Sequence, residues 1–298
     1  MRMGYSLVTH LQALSSGHGH LTLRCLMPVE LNSAGAYKRE HPSFLMIGPA
    51  GSGKTMQLRT IPGKKLVFAF EQNSINSLAG DPSISYKLYL PDDVEIATRS
   101  LSTKANQSGR VAPEEGTAPT AYENFRQDFN EIIKSEQILG FDVVAIDSLT
   151  SMSKAIMDRI LYINNRMGCQ PQQDDWSAQI VNVENVVRKL AALPIILYCT
   201  AHDELKRDEL SGRQIMDLVL TGQLKTRVPM LFSDIYKCMS KSTEEEDRFI
   251  LMTRPDEQNL RIRRSFEDVS YYVDATIKDG GEPTKYGLGS VLAKLKLP

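Results

Sequence analysis

The stretch Phe44-Leu45-Met46-Ile47-Gly48-Pro49-Ala50-Gly51-Ser52-Gly53-Lys54-Thr55 constrains this chain more than any other. An apolar run that stops abruptly at glycine reads as a buried strand entering a turn. From Gly48 the spacing is Gly-x-x-x-x-Gly-Lys-Thr, the pattern of a phosphate-binding loop. Gly48, Gly51 and Gly53 allow positive φ and close backbone approach, so the loop from Gly48 through Pro49, Ala50, Gly51, Ser52, Gly53 and Lys54 to Thr55 can turn its N–H groups onto phosphate oxygens. A helix expected near Gly53, over Met56–Thr60, adds the positive end of its dipole at the same spot. Lys54 supplies a point charge for the β- and γ-phosphates, and the Thr55 hydroxyl can ligate Mg2+. A chance glycine-rich turn would lack both the strand before the loop and the helix-compatible segment after it.

At 298 residues the chain suits one large or two small domains, and 42% hydrophobic residues supply an ordinary core. Lys and Arg number 35 against 36 Asp and Glu, which argues against a globally basic nucleic-acid binder but leaves room for a local basic patch. Cys25, Cys169, Cys199 and Cys238 form no Cys-x-x-Cys pair, so reduced thiols and a cytoplasmic location are expected. No stretch has the length of a membrane span, and Tyr5–Leu14 is too broken by Thr9, His10 and Gln12 for a signal peptide.

Before the loop, Leu7, Val8, Leu11 and Leu14 have helical spacing and residues 21–27 read as a strand. His18-Gly-His20 has no acidic or Cys partner at ligand spacing, which favours a polar turn over a metal site. After the loop, strands are expected at 65–70 and 84–90, and Pro91-Asp92-Asp93 opens a helix. Residues 100–120 read as a flexible loop. An amphipathic helix from Thr120 places Tyr122, Phe125, Phe129, Ile132 and Ile133 on one face and runs to Gly140. A buried strand at 141–147, helices at 148–167 and 176–193, and a strand at 194–200 follow. Residues 203–223 read as a charged loop, 224–232 as a short helix, and 234–240 with 248–253 as a hairpin around a solvated acidic turn. The end, 280–298, reads as turn-rich and then basic. Strands alternating with helices imply a mostly parallel sheet covered on both faces.

Asp147 ends a Val/Ile-rich strand and can hold the Mg2+ ion that Thr55 also touches, directly or through water. An N-cap role is the plainer reading, and Ser148 can fill that role instead. Glu71 ends the strand between the loop and Asp147, where a carboxylate can polarise a water attacking a γ-phosphate; otherwise it is a surface glutamate. Glu123 and Glu131, on the amphipathic helix, are weaker candidates. His202 follows the strand at 194–200, in position to sense a γ-phosphate or simply to bond locally, and Thr200 is equally placed. Lys206, Arg207, Arg213, Lys225 and Arg227, then Arg254, Arg261, Arg263 and Arg264, offer a finger for a neighbouring subunit's nucleotide, phosphate contacts to single-stranded DNA, or a solvated basic face.

With these residues placed, the chain resembles RecA-like ATPases, most of all the compact phage-encoded nucleotide-binding or single-strand annealing recombinases. The resemblance covers roughly residues 43–265. It rests on the Gly48–Thr55 loop, the strand closing on Glu71, Val143–Thr150 with Asp147, and His202 with the stretch from Leu220 to Asp234. It implies a RecA-like α/β core with a mostly parallel sheet and a C-terminal β-hairpin, ATP and Mg2+ as cofactors, and Glu71 as catalytic base. It also implies that Asn164–Asp175 and Asp203–Gly222 stand where the DNA-binding loops do. The chain departs from full-length recombinases in having no separate DNA-binding domain and only Arg166 as a base in the first loop.

The resulting expectation is an arm over 1–42, an ATPase core over 43–265 and a tail over 266–298. The core binds ATP through Lys54 and the loop amides, holds Mg2+ with Thr55 and Asp147, and hydrolyses ATP with Glu71. Single-stranded DNA is the expected partner, a homo-oligomer (ring or filament) the expected assembly, and no membrane is involved. The alternative is an assembly or remodelling factor acting on protein. A small-molecule kinase would place its Mg2+-binding strand beside the loop strand, whereas here an intervening strand is expected.

Overall fold

The computed structural model describes residues 41–91, 118–167, 169–207, 212–244 and 246–294. They lie in one compact unit, Arg39–Pro298. Its centre is an eight-stranded sheet in the order β10-β9-β8-β1-β5-β4-β2-β3. The strands are β1 (Ser43–Ile47), β2 (Lys65–Ala69), β3 (Ile84–Leu88), β4 (Val143–Asp147), β5 (Ile196–Ala201), β8 (Asp234–Ser242), β9 (Asp247–Met252) and β10 (Tyr272–Asp274). From β8 to β3 every pairing is parallel, and β9 and β10 add the antiparallel end. β5 stands between β1 and β4, as expected from the sequence.

The central strands are buried on both faces, and side chains alternate between two cores. Leu45, Ile47, Phe68, Val144, Ile146 and Leu197 point into one core, with Phe125, Leu149 and Val183 of the covering helices. These helices are α2 (Ala121–Lys134), α3 (Leu149–Ile163) and α4 (Gln173–Ala191). Phe44, Met46, Val67, Ala145 and Tyr236 point the other way, against Leu58 and the final helix, α6 (Gly287–Lys294). Short helices α1 (Gln72–Asn76) and α5 (Leu224–Arg227) sit at connections.

Several local expectations are corrected. The helix after the phosphate loop is a six-residue 3-10 turn, Thr55–Thr60. Pro62 holds Ile61 in extended backbone (φ −79, ψ 129), which ends the turn there. α2 stops at Lys134, because Glu136 adopts left-handed backbone at φ 58 well before Gly140. α3 ends at Ile163 rather than Met167, where Asn165 turns left-handed at φ 52. α4 begins at Gln173, three residues early, with the Asp175 carboxylate accepting from the Gln172 N–H at 2.8 Å.

The charged stretch after His202 is a hairpin, β6 (Asp203–Arg207) with β7 (Gln214–Leu218). The tail holds β10 and α6 rather than turns alone. Expectations for 7–14, 18–20 and 21–27, the helix opening at 91–93 and the 100–120 loop lie outside the described residues, apart from their edges. Among the described residues no helix is long and apolar enough to cross a membrane.

Phe125 is the hub of the helix-side core, with ring centroids of Phe68, Phe70, Tyr89 and Phe129 5.2–5.4 Å away. Phe125→Ala is expected to cost about 3–5 kcal/mol in urea denaturation, since it leaves a cavity that rigid strands cannot close.

Candidate functional site

The phosphate loop, Asp147, Glu71, Thr200 and His202 stand at the carboxyl ends of adjacent parallel strands, where open α/β sheets bind ligands, whereas Glu123 and Glu131 lie on α2. Gly48 follows β1, Thr200 and His202 close β5, Asp147 is the last residue of β4, and Glu71 follows β2. The strand order therefore brings together residues spread over 155 positions, from Gly48 to His202, at the ends of four neighbouring strands.

The loop's close approach depends on glycine at two points. Gly48 has φ 155, and a Cβ there would lie 2.5 Å from the Cys238 carbonyl oxygen. Gly53 has φ 82, and a Cβ there would meet the Phe249 ring at 2.9 Å. Lys54 is 6% exposed, its ammonium donating to the Gly48 and Pro49 carbonyls at 2.9 and 2.7 Å and lying 3.5 Å from His202 Nδ1. Burial holds its pKa below the ordinary lysine value, against the pull of nearby Asp147, Asp203 and Glu71.

Asp147 is 2% exposed. Its Oδ2 accepts from Thr55 Oγ1 at 2.6 Å and its Oδ1 from Thr200 Oγ1. A carboxylate and a hydroxyl in contact are hard oxygen donors of the kind Mg2+ takes, so this pair fits the ion. Ser148, not Asp147, caps α3, accepting from the Ser151 N–H at 3.2 Å. Among the described residues no group of three or more His, Cys, Asp or Glu could hold a metal.

Glu71 faces the same cleft. Its Oε1 accepts from Ser148 Oγ at 2.5 Å and Ser151 Oγ at 2.7 Å, with His202 Nε2 at 3.2 Å. The His202 bond, more than the two serines, pulls its pKa down to about 2 against the opposing effect of burial. An ammonium only donates and a carboxylate only accepts, so His202 between Lys54 and Glu71 suits a neutral imidazole with its proton on Nε2. The His202 backbone N–H donates to Thr150 Oγ1 at 3.0 Å.

Tyr198 is a site residue that sequence reasoning missed. Its buried hydroxyl donates to the Lys54 carbonyl at 2.5 Å, fixing the end of the loop from β5. A lone phenol in an otherwise apolar strand was the available signal. Asp203, next after His202, is buried 3.3 Å from the Lys237 ammonium, which also donates to Asn259 Oδ1 at 2.8 Å. The buried thiols Cys199 and Cys238 are pushed up by burial, Cys238 to about 12, and stay protonated.

Much of the basic cluster is already engaged. Arg166 bridges Asp175 and Asp174 and bonds to Gln172. Lys225 and Arg261 both pair with Asp217, each at 2.9 Å. Arg227 reaches Glu184 at 3.4 Å and Lys206 pairs with Glu204 at 2.8 Å. Arg263 and Arg264 donate to backbone carbonyls.

A phosphate loop on β1, an acid two strands away on β4 and a glutamate after β2 define a RecA-like P-loop NTPase fold. Residues 40–264 match the AAA_24 family model, described as an AAA domain, and the chain belongs to that family. The family implies a nucleotide and usually Mg2+. Two solved structures are similar to it. The flagellar accessory protein FlaH from Methanocaldococcus jannaschii has 10% identity, covering 80% of this chain and 85% of that one, with a TM-score of 0.34. A KaiC-like protein from Pyrococcus horikoshii OT3 has 11% identity, covering 81% and 88%, with a TM-score of 0.38. No curated protein matches the sequence.

Glu71 carries a folded-state pKa below its ordinary value, so its contribution to stability is complete above about 4.5 and fades as pH falls toward about 2. Comparing urea denaturation of wild type and Glu71→Gln, the variant is expected to be less stable at pH 7, with the gap narrowing between pH 4.5 and pH 2.

Proposed function

We propose that this protein hydrolyses ATP in a Mg2+-dependent manner and uses the cycle on single-stranded DNA, as in recombination or strand annealing. In this reading the Gly48–Thr55 amides and Lys54 hold the β- and γ-phosphates, and Thr55 with Asp147 holds the metal. Held by these two residues, the ion would supply positive charge beside the phosphate oxygens. Glu71 orients the attacking water and takes its proton, while the two serine hydroxyls and His202 fix the carboxylate's direction. A base with so low a pKa works by positioning more than by affinity for the proton. His202 senses the γ-phosphate, since the lysine it adjoins is the one that phosphate draws away.

The observation that carries the hydrolytic reading is the direct contact of Thr55 with Asp147, beside a glutamate aimed into the same cleft. For the DNA partner, support comes from the β6–β7 hairpin, which starts one residue after His202 and carries the exposed Arg207. A neighbouring copy in a ring or filament would bring a further base to the nucleotide. One observation favours the alternative, an assembly or remodelling factor acting on protein. Arg166, the lone base of the 164–175 connection, is bound up with Asp174 and Asp175, while Leu205, Met230 and Leu260 are exposed.

ATP turnover with and without single-stranded DNA separates these readings. Lys54→Ala is expected to abolish turnover, and Glu71→Gln to lower it roughly 10²–10⁴-fold with nucleotide binding kept. Stimulation by single-stranded DNA, with affinity falling steeply as salt rises, is expected of the recombinase reading. No DNA affinity at low salt with ATP present would leave the protein-directed alternative.

A further inference from the structure

Residues 265–294 lie beyond the matched family span, yet their helix is fastened to the phosphate-loop helix. The Leu288 N–H donates to Gln57 Oε1 at 3.0 Å, and the Gly289 N–H to Thr60 Oγ1 at 3.0 Å, both buried. The Thr60 hydroxyl in turn donates to the Gln57 carbonyl at 2.7 Å, so the two acceptors brace each other. The first N–H groups of a helix have no partner within it. In α6 two of them are satisfied by side chains 231 and 229 residues away in sequence.

Steric fit reinforces the junction. A Cβ at Gly287 would overlap the Gln57 amide, and one at Gly289 would overlap the carbonyl oxygens of Thr60 and Thr284. Leu288, Val291 and Leu292 pack in the same apolar cluster as Leu58, Ile61 and Met46. The six residues Thr55–Thr60 thus bond to Asp147 through Thr55 at one end and to α6 through Gln57 and Thr60 further along. So short a segment has little slack between its two attachments.

The geometry points to α6 as a positioning element of the nucleotide site, with Gln57 and Thr60 as the residues through which it acts. Its docking fixes the Thr55–Thr60 turn, and thereby the Lys54 ammonium and the Thr55 hydroxyl. This rests on the reading of Gly48–Thr55 as the nucleotide site. Coupling of two sites is reciprocal, so bound Mg·ATP steadies α6 and a loosened α6 weakens Mg·ATP. A helix that only covers apolar surface would show no such linkage.

Two measurements on the full chain test this. In hydrogen-exchange mass spectrometry of the wild type, saturating Mg·ATPγS is expected to slow exchange across 283–294. Thr60→Val and Gly289→Ala are expected to raise the Kd for Mg·ATPγS roughly tenfold and to lower kcat/KM for ATP by at least as much, and Thr60→Ser to restore both. Unchanged exchange across 283–294 with ligand demonstrably bound would overturn the inference. So would variants whose 283–294 segment exchanges faster while their Kd stays at the wild-type value. If the wild type binds no Mg·ATPγS at all, the reading of the site fails, and this inference with it.

Discussion

The hydrogen bond from the Thr55 hydroxyl to the Asp147 carboxylate is the contact on which the rest depends. It joins the end of the phosphate loop to the end of a strand that is not its neighbour. It forms because β5 lies between β1 and β4 and contributes Thr200 to the same carboxylate. A buried carboxylate is costly unless its lone pairs are satisfied, and here hydroxyls from the loop and from β5 do so. A shift of β1 against β4 along the strands would break the Thr55 bond, and a shift of β5 against β4 the Thr200 bond.

Burial on both faces is what prevents that shift. Each central strand sends alternate side chains into separate cores, so a one-residue slip would swap the two sets and misfit both. The charged groups at the strand ends are held by the same registers. Ile47 pairs with Ala201 and with Lys237, which brings Lys54, His202, Asp203 and Lys237 into one region. Tyr198 ties the loop back to β5 from below. The fold thus makes a rigid cleft floor, while the β6–β7 hairpin begins at its rim.

The legible parts of this architecture share one physical cause. β1, β2, β4 and β5 are dense apolar runs because both their faces are covered, and their ends carry the residues of the cleft, so Lys54, Thr55, Asp147, Glu71 and His202 could be placed from sequence. The β6–β7 hairpin has the sequence of a loop because it packs little apolar surface and shows no alternation, with Glu204–Arg207 exposed. The segment after the phosphate loop has the expected extent but is a 3-10 turn, a helix type that spacing and polarity alone do not distinguish from an α-helix. α6 was missed because Gly287-Leu288-Gly289 looks like turn sequence. Its glycines serve close approach to Gln57 and Thr60, a reason visible only once residues far apart in the chain are brought together. Tyr198 and Arg166 were hidden similarly, since a hydroxyl or a guanidinium in sequence does not announce its partner.

In the proposed function Asp147 and Thr55 jointly hold the metal that accompanies the nucleotide. The most direct measurement is ATPγS affinity with and without Mg2+ for the wild type and for Asp147→Asn. Much tighter binding with Mg2+ is expected in the wild type, with loss of that enhancement in the variant and metal-free affinity little changed. An Asp147→Asn protein that keeps the full Mg2+ enhancement would contradict it.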